Sequence, residues 1–184
     1  MSYYRIKVAG LERDLPICRV NDNLCIAGFV IFGDQELTVA CARELIKIAP
    51  EFDYLITAEA KGIPIGHEMA RQLGMKKYFL ARKAPKLYMK NVFGVKVKSI
   101  TTEAEQNLYL DEADAKLIKG KRILIVDDVI STGESIYALE ELVKAAGGIV
   151  CGKIAVLAEG DAQTRRDIKY LEKLPLFDGQ GNVL

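Results

Sequence analysis

Two adjacent acids at the end of an apolar run, followed by small hydroxyl residues and glycine, carry the strongest chemical signal in this chain. The segment reads Ile123-Leu124-Ile125-Val126-Asp127-Asp128-Val129-Ile130-Ser131-Thr132-Gly133-Glu134-Ser135. Ser131, Thr132, Gly133, Glu134 and Ser135 can wrap a phosphate with backbone N–H groups and hydroxyls, and a helix starting there adds its positive end. Asp127 and Asp128 carry the wrong charge for that phosphate. They suit the vicinal hydroxyls of a sugar, or magnesium held indirectly through water. A ribose bearing a phosphate satisfies both halves. An N-cap and turn after a buried strand would explain either half alone, but not the assembled segment. The chain has no GxxxxGK[ST] and no GxGxxG after a first strand, which excludes a P-loop and a dinucleotide fingerprint.

Two further segments carry chemistry. In Thr57-Ala58-Glu59-Ala60-Lys61-Gly62-Ile63-Pro64, Gly62 precedes a helix and offers a second anion-friendly N-terminus. Arg82-Lys83-Ala84-Pro85-Lys86 opens a long irregular stretch, and from Met69 to Thr102 there are nine basic residues and no acidic one. In a chain of formal net charge +1 that segregation is informative, and it fits an anion site, a nucleic-acid patch or a membrane patch. His67 is the single histidine and falls inside an expected helix, where a surface or packing role suits it better than catalysis.

The elements that must position these groups follow from periodicity. Short strands are expected at Tyr4–Ala9 and Cys25–Ile31, with turns at Asp14-Leu15-Pro16 and Val20-Asn21-Asp22-Asn23. Asp34 is a suitable N-cap for a helix with Leu37, Cys41, Leu45 and Ile48 on one face, ended by Pro50. Tyr54–Thr57 reads as a strand, Pro64–Leu73 as a helix closed by Gly74, and Tyr78–Ala81 as a strand. Ile123–Val126 is a strand of four branched apolar residues. The helix from Glu134 buries Ile136, Leu139, Leu142 and Val143 and stops at Gly147-Gly148. Ile149–Leu157 is the next strand and Asp161–Lys173 a final helix. Strands without strict alternation, separated by helical periodicity, predict an α/β fold with a mostly parallel twisted sheet and helices on both faces. Between Arg82 and Leu110 the pattern breaks; Val95, Val97 and Ser99 alternate with Lys96, Lys98 and Ile100, and Asn107–Leu110 supplies a second strand. A protruding hairpin or flap is expected there.

Composition sets the outer bounds. Half of the residues are hydrophobic and 28% charged, and the length of 184 residues suits one α/β domain. Near neutrality requires no polyanionic partner. The four cysteines (Cys18, Cys25, Cys41, Cys151) lack CxxC spacing and read as buried or half-buried thiols. No apolar run reaches membrane-spanning length and the start lacks a signal-peptide core, so a cytoplasmic protein is expected.

The segment from Ile123 to Ser135 closely resembles the phosphoribosyl-pyrophosphate (PRPP) binding motif of the type I phosphoribosyltransferases, and residues 34–160 resemble that family's core. The resemblance implies one domain over 1–184, with hood elements from 1–33 and 174–184 and a flexible loop over about 82–110. It implies that Asp127 and Asp128 hold the ribose hydroxyls and that Ser131 to Ser135 form the 5′-phosphate loop. Glu59, Ala60, Lys61 and Gly62 look like the pyrophosphate loop, with a cis non-proline bond at Ala60–Lys61. Arg82 and Lys83 look like the leading basic pair of the loop that closes over PRPP. They would contact pyrophosphate or the neighbouring subunit's site, joined by Lys86. Catalysis would rest on Asp127, Asp128, Lys83 and Arg82, with Mg2+ reached through PRPP and water rather than by direct protein ligands.

Val156-Leu157-Ala158-Glu159-Gly160 is similar to a glutamate-containing segment of adenine and xanthine phosphoribosyltransferases. It implies a base site around Glu159, with Phe177, Phe29 or Phe32 available to stack. The partners implied are PRPP and a free purine, adenine before the 6-oxopurines, in a homodimer with no stable nucleic acid and no membrane. The alternatives are a PRPP-sensing regulator, a 6-oxopurine or pyrimidine enzyme, and a phosphosugar hydrolase or binding protein on the same scaffold. No clear helix-turn-helix precedes Leu37, which disfavours the regulator.

Overall fold

The computed structural model describes residues 2–98 and 105–184. Along the chain it runs β1 (Tyr3–Val8), β2 (Leu11–Asn21), β3 (Leu24–Ala27), α1 (Gln35–Ile48), β4 (Tyr54–Ala58), α2 (Ile63–Gln72) and β5 (Phe79–Ala81). It continues with β6 (Val92–Lys98), β7 (Glu105–Asp111), α3 (Glu112–Ile118), β8 (Arg122–Ile130), α4 (Glu134–Ala145) and β9 (Ile149–Glu159). A 3-10 turn (Gly160–Thr164), β10 (Lys169–Leu174) and β11 (Leu176–Asp178) complete it.

Five strands form the central sheet in the order β10-β9-β8-β4-β5, and every pairing is parallel. The residues dictate this. Leu55 and Ile56, Ile123 to Val126 and Ile154 to Ala158 are completely buried, so each strand needs cover on both faces. One face packs Leu37, Cys41 and Leu45 of α1 and Ile65 and Met69 of α2 over Leu124, Val126 and Ile154. The other packs Ile136, Leu139, Leu142 and Val143 of α4 over Ile123, Ile125 and Ala155. At the start of α1, Asp34 accepts a hydrogen bond from Leu37 N–H at 3.0 Å. At its end Ala49, the residue before Pro50, turns extended (φ −65°, ψ 142°), as the proline ring demands.

An antiparallel sheet, β1-β2-β3-β11, forms the hood beside the first face. Arg13 ties it to the core through both Asp34 oxygens (2.6 and 3.0 Å) and Glu36 (2.8 Å). Among the described residues no helix is long and apolar enough to cross a membrane.

The structure departs from the sequence reading in several places. Asp14-Leu15-Pro16 is not a turn but the middle of β2, paired with Tyr3 to Arg5. The chain reverses instead at Ala9-Gly10, where φ values of 51° and 82° give the left-handed pair that suits a tight hairpin. The expected helix Asp161–Lys173 is a 3-10 turn followed by β10. The outer edge of β9 was open, and pairing from Lys169↔Ile154 to Leu174↔Glu159 satisfies it. The described strands of the β6–β7 hairpin lie against the core rather than standing off it: Leu108 and Leu110 are buried in the α4 core, since the apolar face of the ribbon needs cover. Leu87 and Tyr88, in the segment before β6, stand in solvent; the Ser99–Thr102 stretch lies outside the described residues. A short helix, α3, was not anticipated, although Asp111 caps it by accepting from Ala113 N–H at 2.9 Å. Finally, the four thiols are free as expected, but Cys18 is exposed rather than buried.

Candidate active site

The site begins where two neighbouring strands stop running together. β4 pairs with β8 from Tyr54↔Ile123 only as far as Ile56↔Ile125. β8 continues alone on that side while staying paired with β9 through Asp127↔Ala155 to Ile130↔Ala158. Asp127 and Asp128 therefore lie within the strand, not after it as the apolar run suggested. The gap left beside them receives the loop after β4. Crevices of this kind, at the carboxyl ends of parallel strands, are where open α/β sheets bind ligands.

Asp128 is 3% exposed, and the ammonium of Lys61 stands 3.3 Å from its Oδ2. That oxygen accepts no well-directed hydrogen bond among the described residues, so it holds a free lone pair inside the cleft. The Asp127 Oδ1 accepts from Asp128 N–H at 2.9 Å. Burial, reinforced by the Asp128 charge, pushes the Asp127 carboxyl up to about 7 despite that hydrogen bond. Glu159 at the end of β9 faces the same cation: burial raises its carboxyl and Lys61 opposes the shift.

Gly62 explains the close approach of the two loops. A Cβ there would lie 2.2 Å from Thr57 Oγ1 and 3.0 Å from Asp127 Oδ1. Thr57 is completely buried and its hydroxyl has no partner among the described residues. In sequence it only opens the Thr57–Pro64 segment, where nothing local assigns its hydroxyl a role. The cis non-proline bond lies at Glu59–Ala60, one bond earlier than expected, and Ala60 C=O accepts from Ile63 N–H at 3.2 Å.

Glu59 sits with the cationic pair. Its carboxylate accepts from Lys83 N–H at 2.9 Å and pairs with Arg82 at 3.0 Å. Its backbone N–H donates to Ala81 C=O, and Arg82 bridges Tyr109 through both backbone groups at 2.8 Å. The loop Glu59–Gly62 and the start of the basic stretch thus form one unit. Lys83 is exposed and Lys86 half-buried. Ser131, Thr132 and Ser135 are exposed around Gly133, which caps α4 with φ 81°.

Other candidates fall elsewhere. Phe29 and Phe177 are 4% and 2% exposed, packed into the hood core, and Phe177 lies edge-on against Tyr4. Neither presents a face to stack on a base, because closing the hood over the sheet consumes both rings. Phe32 is 50% exposed. His67 is exposed on α2, edge-on to Tyr78.

Among the described residues no three acids, histidines or cysteines gather as a metal cage. The all-oxygen donors Asp127 and Asp128 nevertheless suit a hard cation, and the Lys61 ammonium 3.3 Å from Asp128 Oδ2 shows that positive charge is accommodated at this point of the cleft.

This crevice, with paired carboxylates on one strand and small-residue loops leading into helices at the ends of two, is the site of an α/β enzyme of the phosphoribosyltransferase type. The phosphoribosyl transferase domain family matches residues 35–180, and the chain belongs to that family. The chain is 30% identical over 158 residues to the hypoxanthine/guanine phosphoribosyltransferase of Methanothermococcus okinawensis, covering 82% of each. It is 38% identical over 129 residues to the adenine phosphoribosyltransferase of Thermotoga sp. (strain RQ2), covering 70% of this chain and 67% of that one. The crystal structure of adenine phosphoribosyltransferase from Thermoanaerobacter pseudethanolicus superposes with a TM-score of 0.63 at 26% identity, over 78% of this chain and 84% of that one.

Proposed function

We propose that this phosphoribosyltransferase transfers the 5-phosphoribosyl group of PRPP to a purine base, releasing pyrophosphate and forming a nucleoside monophosphate. The observation that carries the reading is the convergence of Lys61 and Gly62 on Asp127 and Asp128 at the fork between β4 and β8. A substrate with diphosphate on C1 and phosphate on C5 of one ribose needs its two anion loops on either side of a diol-binding pair.

A nitrogen lone pair of the base forms the bond to C1 while the C1–O bond to pyrophosphate breaks; that electron pair departs with the pyrophosphate, and the ring N–H proton of the base passes to solvent. Asp127 and Asp128 hold the ribose hydroxyls and favour positive charge on the sugar ring. The loop Ser131–Ser135 anchors the 5′-phosphate. Backbone amides of Ala60 to Gly62 receive the pyrophosphate, with Arg82 and Lys83 over it, oriented by Glu59. Asp127 and Asp128 would hold magnesium brought in with PRPP, and the ion would supply charge neutralisation at the leaving group. Glu159 faces the base. The two relatives named above, an adenine and a hypoxanthine/guanine enzyme, support a purine, with adenine tested first. Family resemblance supports a cytoplasmic homodimer, which light scattering on the purified chain would read.

The test is pyrophosphate release from PRPP and magnesium with adenine, guanine, hypoxanthine, xanthine, uracil and orotate in turn. Release with a purine, lost in Asp127→Asn and Asp128→Asn, is the expected result. Turnover with uracil or orotate alone overturns the purine assignment. PRPP binding without turnover on any base favours a regulator.

A further inference from the structure

A cavity of about 390 Å³ lies outside the crevice, against the far end of the phosphate loop, lined by Thr132, Gly133, Tyr137, Lys153, Arg165 and Asp167 among others. Arg165 dominates it. Its NH1 would lie 2.0 Å from a Cβ on Gly133, so the guanidinium is pressed against the residue that starts α4. Its other two nitrogens are committed: Nε and NH2 donate to the two Asp167 oxygens at 3.0 and 2.7 Å. Asp167 Oδ2 also pairs with Lys153 at 2.7 Å, and Lys153 with Glu140 of α4 at 3.0 Å. Arg165 and Lys153 together hold the Asp167 carboxyl well below the usual carboxylate range.

These contacts form a closed circuit. It leaves α4 at Glu140, crosses β9 at Lys153, passes through Asp167 to Arg165, and returns to α4 at Gly133. Charges alternate along it, so the end that meets the phosphate loop is positive. NH1 has no hydrogen-bond partner among the described residues, although every other polar group of the guanidinium is used. Bidentate pairing fixes a guanidinium in plane and direction, which a lysine cannot do.

We propose that Arg165 is a positioning residue for the ribose-5-phosphate site: it clamps Gly133 and sets a fixed positive charge beside the loop Ser131–Ser135. This rests on that loop binding a sugar phosphate, as argued above. The loop itself contains no cationic side chain, and its own donors are N–H and hydroxyl groups. Arg165 supplies the missing charge from outside the motif, and its contact keeps the backbone of Gly133 from relaxing when no phosphate is bound.

The test titrates ribose 5-phosphate and, separately, pyrophosphate by calorimetry into wild type, Arg165→Met, Arg165→Lys and Arg166→Met, with steady-state kinetics on PRPP. Arg166 is the exposed neighbour and controls for net charge. Arg165→Met should weaken ribose 5-phosphate about tenfold, raise KM for PRPP and leave kcat and pyrophosphate binding unchanged. Arg165→Lys should recover part of the loss, and Arg166→Met should lose nothing. Wild-type affinity for ribose 5-phosphate in Arg165→Met overturns the proposal. So does an equal loss of both ligands with a lowered melting temperature in both Arg165 variants, the mark of a purely structural role. If wild type itself binds pyrophosphate but no ribose 5-phosphate, the reading of the loop fails first.

Discussion

Replacing Gly62 by alanine separates two effects that ordinarily act together. Its backbone, φ −70° and ψ −14°, is one alanine adopts freely, and it sits at the start of α2. On propensity alone Gly62→Ala should stabilise the protein, by roughly 0.4–1 kcal/mol. The surroundings say otherwise. The new methyl would lie 2.2 Å from Thr57 Oγ1, 3.0 Å from Asp127 Oδ1 and 3.3 Å from Asp127 Cα. The first contact is about 1 Å inside van der Waals range, and both neighbours belong to buried sheet strands that yield little. Overpacking of this kind costs about 1–3 kcal/mol, so a net loss of about 1–2 kcal/mol is expected in urea denaturation. The loop can relieve the clash only by moving away from Asp127, which displaces the pyrophosphate site from the ribose site. A misplacement near 1 Å costs about 10–100-fold in kcat/KM for PRPP. The double variant Gly62→Ala/Thr57→Ala removes the worst contact but not those with Asp127. It should regain stability relative to Gly62→Ala while kcat/KM stays low. A Gly62→Ala protein at least as stable as wild type, with wild-type kinetics, would refute the claim that this glycine sets the approach of the loops.

Three other outcomes follow from the geometry. Because the folded Asp127 carboxyl is raised to about 7, the native state binds more protons than the unfolded chain from about pH 4 to pH 7, and the residue's contribution to stability falls as pH rises through that window. Asp127→Asn cannot titrate, so its thermal midpoint relative to wild type should climb between about pH 4 and about pH 7; a flat difference would contradict the raised carboxyl. Asp34 has the opposite sign: Arg13 lowers its carboxyl, so its stabilisation is present above the unfolded value near 4 and is lost as pH falls through the folded one. Asp34→Ala, which removes both the helix cap and the tie to the hood, should cost about 1–3 kcal/mol at neutral pH and less in acid melts. Glu59→Ala releases Arg82 and Lys83 without touching the phosphate loop. KM for PRPP should rise about tenfold with ribose 5-phosphate binding intact, and a parallel loss of both would show that Glu59 holds more than the basic pair.

The parts of this protein legible in its sequence are those whose chemistry is local. Four branched apolar residues, two acids, a small hydroxyl loop and a helix start are contiguous from Ile123 to Ser135, and each is set by neighbours in the chain. The same holds for Asp34 as a cap and for the loop Glu59–Gly62 ahead of Pro64. What the tertiary structure decided involves partners far apart in sequence. The segment after Asp161 carries apolar residues that suit a helix or a strand, and the open edge of β9 chose the strand. Phe29 and Phe177 are apolar rings that suit core before stacking, and the hood settles both as core. The β6–β7 ribbon has an apolar face whether it protrudes or lies down, and α4 supplied the cover that made it lie down. Arg165 bears on Gly133 only because β9 and the turn after it carry the chain back across the sheet. Backbone propensity and short-range spacing act within a few residues; burial, strand-edge pairing and charge circuits are settled only when distant segments meet.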